Sequence, residues 1–125
     1  LLSCAEMLRG GTTTFVDMYY FEEQVARAAD ETGMRAICGQ TVMRLPTPDA
    51  PSFDEGLERA RRFIEQWAGH GRVVPTVAPH APYTCTDRIY QEASALCRKH
   101  GVPLITHLSE TAREVEDSFK EREVT

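Results

Sequence analysis

Val102-Pro103-Leu104-Ile105-Thr106-His107-Leu108-Ser109-Glu110-Thr111 opens as an apolar run, closes that run on a histidine, and sets a glutamate three residues beyond it. The run has the composition of a strand covered on both faces, expected over residues 104–108. A histidine at a strand's carboxyl end, followed by a carboxylate where a helix is about to start, suits metal-assisted chemistry. The imidazole can hold an ion, and the carboxylate can carry a proton for a water that the ion makes acidic. Both residues also have plainer readings. His107 fits a strand-end histidine hydrogen-bonded to a backbone carbonyl, and Glu110 fits a charge favoured at the positive end of the next helix.

The same strand-then-polar pattern recurs upstream. Residues 73–78 read as a strand that runs into Pro79-His80-Ala81-Pro82-Tyr83. Two prolines around a histidine hold the backbone extended and aim the imidazole; His80 fits a substrate contact or a turn residue. Residues 12–20 and 35–43 are two further strands, rich in Thr, Phe, Val and Tyr or in apolar residues. Between them, residues 22–32 read as a helix with Val25 and Ala29 inward, stopped by Gly33. Ser52 and Glu55 make a capping box for a helix carrying Leu57, Ala60, Ile64 and Trp67 on one face. Thr86 caps a helix with Ile89, Ala93, Leu96 and Cys97 at helical spacing, ending at Gly101. Thr111 and Glu114 make a second capping box, with Val115 and Phe119 expected inward.

The order is one helix, from Leu1, Ala5 and Leu8 to the Gly10-Gly11 pair, then four strand–helix units. Alternation of this kind implies parallel strands joined by right-handed crossovers. Four units suit a small open sheet, or half of an eight-stranded barrel of roughly 250 residues. The chain opens inside a helical stripe without Met, and residues 120–125 follow a helical pattern with no element after it. Both ends favour the second option: residues 1–125 as a partial barrel domain, incomplete at both ends.

Composition narrows the function classes. The 125 residues are 42% hydrophobic and 26% charged with net charge −5, which argues for a folded domain rather than a disordered one. No basic patch stands out to attract nucleic acid. No apolar run is long enough to span a bilayer, and no signal-peptide pattern opens the chain. Cys4, Cys38, Cys85 and Cys97 form no C-x-x-C pair and read as reduced thiols of a cytoplasmic protein.

In either architecture function gathers at the strands' carboxyl ends. Asp17 and Tyr19, Gln40, His80, and His107 with Glu110 stand there. Asp17 reads as a structural hydrogen-bonding residue, His70 as an exposed loop residue, His100 as a cation in a helix's last turn, and Cys85 as packing. A catalytic zinc needs about three protein ligands and an open position. The sequence has no H-x-H and no H-E-x-x-H, so co-ligands of His107 are expected outside these 125 residues.

Three stretches in order carry a family resemblance: Gly11-Thr12-Thr13-Thr14-Phe15-Val16-Asp17-Met18-Tyr19, Ala78-Pro79-His80-Ala81-Pro82-Tyr83-Thr84-Cys85, and Thr106-His107-Leu108-Ser109-Glu110-Thr111. Over essentially its whole length the chain resembles the amidohydrolase superfamily, in particular the 5′-methylthioadenosine/S-adenosylhomocysteine deaminase group with its chlorohydrolase relatives. The resemblance implies an α/β fold: a fragment, about half, of a (β/α)8 TIM-type barrel, covering βα units two to five. It implies one divalent metal, zinc in the first place with Fe2+ or Mn2+ as alternatives. His107 matches the family's metal-ligand histidine, Glu110 its proton-shuttling glutamate, and His80 a substrate-contacting histidine. Near the position of Gln40 a related deaminase has an arginine that helps bind the substrate. Gln40 departs from that arginine, and Arg44 is the second candidate for the role.

The implied activity is hydrolytic deamination of adenosine-type nucleosides, by a cytoplasmic enzyme compatible with homo-oligomers, with neither nucleic acid nor membrane as partner. The fragment alone is expected to be inactive. Two rivals stand beside this reading. One is a triazine chlorohydrolase or another nucleobase deaminase of the superfamily. The other is a non-catalytic half-barrel that associates through its open sheet edges.

Overall fold

Parallel pairing of three strands sets the frame. The computed structural model describes residues 1–122. In chain order the elements are α1 (Leu2–Arg9), β1 (Thr14–Tyr19), α2 (Glu22–Thr32), β2 (Arg35–Val42), α3 (Phe53–Trp67), β3 (Val73–Pro79), α4 (Asp87–His100) and α5 (Ala112–Arg122). The sheet order is β1-β2-β3, with Thr14 opposite Arg35 and Ala36 opposite Val73. Each neighbouring pair of strands is joined by a helix, as parallel pairing requires. Residues 123–125, which end the expected terminal pattern, lie outside the described residues.

The expected stops and starts hold. Gly33 ends α2 and Gly101 ends α4, both in the left-handed conformation (φ 75° and 65°) that glycine adopts without a Cβ clash. Ser52 Oγ accepts from Glu55 N at 3.3 Å and Thr86 Oγ1 from Ile89 N at 3.4 Å, so α3 and α4 begin on side-chain caps.

Even-numbered positions of β2 face the helices. Ala36 and Cys38 pack with Val73 against Ala26 and Ala29 of α2 and Phe63 and Trp67 of α3. Val42 joins Val77, Ile64 of α3, and Ile89, Ala93 and Cys97 of α4 in a second cluster. Burial of side chains such as Phe63 and Ile64 contributes about 2–3 kcal/mol each. By the strand's period of two, Gly39 turns to the opposite face. A Cβ added there would stand 2.5 Å from Ile105 Cδ1 and 3.0 Å from Ala78 Cβ.

Residues 104–108 differ from expectation. They run beside β3 but make one isolated parallel bridge, Val77 to Leu104, instead of a fourth strand. Val77 O accepts from Ile105 N at 3.5 Å, so the Val77 parity of β3 faces this segment. Pro79 shares that parity and Pro103 shares the parity of Ile105; neither has an N–H to give. The next bond, from His107 N to His80 O at 2.9 Å, is one residue out of step with the first. Two further expectations change. Phe119 is 59% exposed on α5 rather than inward. His70 is half-buried, with Nδ1 accepting from Arg72 N and Val73 N at 3.3 and 3.1 Å.

A polar hub fixes the loop after β2. Asp49 accepts from Phe21 N (2.8 Å), Gln40 Nε2 (3.0 Å) and Thr47 Oγ1 (2.9 Å), and pairs with Arg59 at 3.5 Å. Burial alone would raise the Asp49 pKa; these donors outweigh it and hold the carboxyl below the usual range. The bond to Phe21 also fixes that residue's left-handed backbone, φ 58°, at the start of α2.

Glu22 has the opposite balance. It is fully buried, its Oε1 accepts from Tyr19 N at 2.9 Å, and Oε2 has no hydrogen bond. Burial, reinforced by the charge of Asp17, pushes its pKa from 4.5 up to about 8, against the Tyr19 N–H and the Cys38 thiol.

Two measurements follow from this packing. Gly39→Ala should destabilise the protein by about 1–3 kcal/mol, because Ile105 and β3 must shift to admit the methyl. Unfolding in urea checks it, and an unchanged midpoint would mean that Ile105 does not lie over β2. For Glu22, the folded state keeps a proton that the unfolded state loses from about pH 4.5 upward. The stabilisation is therefore complete below that pH and declines as pH rises towards about 8. Glu22→Gln should flatten this decline in a series of melting temperatures against pH; parallel curves would place the titration elsewhere.

Candidate active site

His80 follows β3 directly, and the backbone determines where it sits. Its N–H donates to Val42 O at 3.1 Å, continuing the pairing with β2. Its carbonyl accepts from His107 N at 2.9 Å and from Thr106 Oγ1 at 3.3 Å. Two histidines 27 positions apart in the numbering are thereby set side by side, with ring centroids 5.2 Å apart and planes at 89°.

The turn after β3 orients the His80 ring. Thr84 N and Cys85 N both donate to Ala81 O at 3.0 Å. The Thr84 hydroxyl reaches His80 Nδ1 at 2.8 Å, which leaves Nε2 without a hydrogen bond among the described residues. Burial, and then the neighbouring His107, lowers the His80 pKa from 6.5, so the ring is neutral at pH 7.

Glu110 is held from two sides. Ser109, at φ 56°, turns the chain after His107. Glu114, buried at the start of α5, accepts from Ser109 N (3.1 Å) and Glu110 N (2.9 Å), while its own N–H donates to Thr111 Oγ1 at 3.1 Å. The capping box is real, but its carboxylate reaches back to Ser109 and Glu110. From the other side Tyr83 Oη donates to Glu110 Oε2 at 2.8 Å, and its ring meets His80 edge-on at 5.7 Å. Neither Tyr83 nor Glu114 was singled out as a functional residue in the sequence. Their signals were a motif position beside His80 and a cap pattern.

The two other candidates part ways. Arg44 lies beside the cluster: its N–H donates to Thr84 O at 3.1 Å, and Nη2 reaches Tyr83 O at 3.4 Å. An open groove of about 680 Å3 adjoins it, lined by Arg44, Tyr83 and Glu114 but by neither histidine nor Glu110. Gln40 does not join them. Its even-numbered place in β2 turns it to the helix side, where it is fully buried and bonded to Asp49. Asp17 accepts from its own neighbour, Met18 N, at 2.9 Å, and Cys85 is buried with Sγ towards Val42 O, as structural and packing readings predict.

Among the described residues no three His, Cys, Asp or Glu side chains gather for a metal ion. His107 fits as a single donor: it is exposed, and no described side chain hydrogen-bonds its ring. No helix among the described residues is long and apolar enough to cross a membrane.

Comparison with known proteins identifies the family. The profile of the Amidohydrolase family matches residues 1–123, and the chain belongs to that family. A 5-methylthioadenosine/S-adenosylhomocysteine deaminase of Thermodesulfovibrio yellowstonii is 45% identical over 119 residues, covering 95% of this chain and 27% of its own length. An adenosine deaminase from Xanthomonas campestris, solved with bound zinc, superposes with TM-score 0.93 and 36% identity over 98% of this chain and 28% of its own. Atrazine chlorohydrolase from Arthrobacter aurescens, solved with zinc, shares the fold (TM-score 0.78, 20% identity) over 97% of this chain and 31% of its own. The chain thus spans about a quarter of the length of the curated relatives it matches. Parallel strands, crossover helices and this coverage agree with a segment of a (β/α)8 barrel.

The Glu114 brace is open to measurement. Glu114→Ala removes the acceptor for two backbone donors and should cost about 1–2 kcal/mol, as loss of a helix cap does. The exposed neighbour Glu116→Ala should cost far less; equal losses would mean that Glu114 does not hold the turn.

Proposed function

We propose that residues 1–125 form part of a longer (β/α)8 barrel that hydrolytically deaminates adenosine-type thioether nucleosides, 5′-methylthioadenosine and S-adenosylhomocysteine. The observation that carries this reading is the convergence of His80, His107 and Glu110, tied together by the His107-to-His80 backbone bond and the Tyr83-to-Glu110 hydrogen bond, 2.9 and 2.8 Å. The 45% identity to a deaminase of that name supports the substrate class. The likeness to atrazine chlorohydrolase, at 20% identity, supports only the fold.

In this reading His107 contributes one ligand to a divalent ion, zinc foremost, and ligands from further strands complete the set. Such an ion, when bound, makes water acidic enough to attack at neutral pH. Glu110 takes a proton from the attacking water and delivers it to the purine ring nitrogen as the amine-bearing carbon is attacked; the remaining proton of the added hydroxyl then passes to the amine, the C–N bond breaks, and ammonia departs as the carbonyl forms. His80, neutral and oriented through Nδ1 by Thr84, offers Nε2 to the ring edge. Arg44, beside Tyr83, is the nearer candidate for the nucleoside's tail; Gln40 supports the wall through Asp49. Four buried free thiols suit the reducing cytoplasm.

The complete zinc-loaded protein should release ammonia from 5′-methylthioadenosine and leave triazines untouched; the reverse would assign it to the chlorohydrolases. No turnover of either, with a metal-free oligomer in solution, would favour the association module. Glu110→Gln should lower kcat by about 10²–10⁴ with zinc retained. Loss of zinc instead would make Glu110 a ligand.

A further inference from the structure

The Tyr83 side chain touches both His80 and Glu110. Its ring lies edge-on to His80 at 5.7 Å, and its hydroxyl donates to Glu110 Oε2 at 2.8 Å. The tyrosine is itself anchored. It sits between Pro82 and Thr84 in the turn closed by Thr84 N on Ala81 O at 3.0 Å, and its carbonyl receives Arg44 Nη2 at 3.4 Å. The hydrogen bond to Glu110 is also the first cause that raises the phenol's pKa, which keeps the hydroxyl protonated as a donor.

A free glutamate rotates about three side-chain bonds, and a proton-carrying carboxylate works only when one oxygen is held within reach of the reacting atoms. Glu114 fixes the backbone of Glu110 through its N–H, but that bond leaves the side chain free to turn. Only the Tyr83 hydroxyl fixes the carboxylate among the described residues; it occupies Oε2, while Oε1 has no protein partner.

We infer that Tyr83 is a positioning residue: its hydroxyl holds Oε2 of Glu110 and so reserves Oε1 for proton transfer. The inference rests on the proposed role of Glu110. It assigns to Tyr83 an effect on the chemical step rather than on binding, although the ring stands beside the substrate-contacting histidine.

The test uses the complete zinc-loaded enzyme with 5′-methylthioadenosine. Tyr83→Phe should lower kcat about tenfold and keep KM within about twofold, with zinc content and melting temperature unchanged. In a Glu110→Asp background, whose shorter side chain does not reach the hydroxyl, Tyr83→Phe should have no further effect. A rise in KM at constant kcat would overturn the inference and make Tyr83 a substrate contact. Equal losses in both backgrounds, an unchanged kcat, or a Tyr83→Phe variant that fails to fold would overturn it as well. Glu110→Gln separates the two levels. Wild-type turnover in Glu110→Gln sinks the site reading and this inference with it. Wild-type turnover in Tyr83→Phe beside an inactive Glu110→Gln sinks the inference alone.

Discussion

One backbone hydrogen bond, from His107 N–H to the carbonyl of His80 at 2.9 Å, is the constraint on which the site depends. The other backbone ties of residues 104–108 to β3 are a long bond from Ile105 and a single bridge at Leu104. With the His107-to-His80 bond the two imidazoles meet, and the turn that follows carries Glu110 back towards Tyr83. The carbonyl involved belongs to a residue between two prolines of its own stretch. Pro79 gives no donor, so His80 is the first residue past β3 with both an N–H and a carbonyl to pair. It spends the N–H on Val42 and the carbonyl on His107. The backbone of one histidine thus joins β2 to the segment that carries the other.

The rest of the chain makes that junction rigid. Helices α2, α3 and α4 pack on one face of the sheet through small or apolar residues of β2 and β3, which fixes strand order and register. At the carboxyl end the polar residues are spent mainly on holding loops. Asp49 ties the start of α2 to the loop after β2, Thr84 ties His80 to its own turn, and Glu114 ties α5 to the turn at Ser109. Each is a side chain pairing backbone or ring groups that a loop would otherwise leave unpaired, the usual way in which a loop becomes precise enough for chemistry.

Much of this was legible in the sequence because it was written in local chemistry. Caps at Ser52 and Thr86 and stops at Gly33 and Gly101 act over three or four residues, and they stand where their residue types require. His80, His107 and Glu110 stood out because each follows the carboxyl end of an expected parallel strand, and the structure brings them together. What the sequence hid was long-range or stereochemical. The strand expected over 104–108 has strand composition, yet prolines on the facing parity of both segments remove ladder donors. Gln40 looked like a strand-end polar residue; only the phase of β2, fixed by Ala36 and Cys38 against the helices, shows that it turns away from the histidines. Tyr83 and Glu110 are 27 residues apart, and their bond was not readable from either motif alone.

The topology also explains why a single metal-ligand candidate is the natural content of this stretch. In a parallel sheet each strand end delivers one or two side chains to the open rim, because alternate residues face the helices and the next connection leads away. Here β1 ends in exposed Tyr19, β2 carries buried Gln40 two residues before its end, His80 follows β3, and the next segment carries His107. Three ligands for one ion therefore have to come from several strands, and the described residues gather no such set. The stretch instead brings together an imidazole fixed through Nδ1, a carboxylate with one oxygen held, and a phenol that touches both. A single candidate ligand among the described residues thus follows from geometry that spreads side chains over many strand ends.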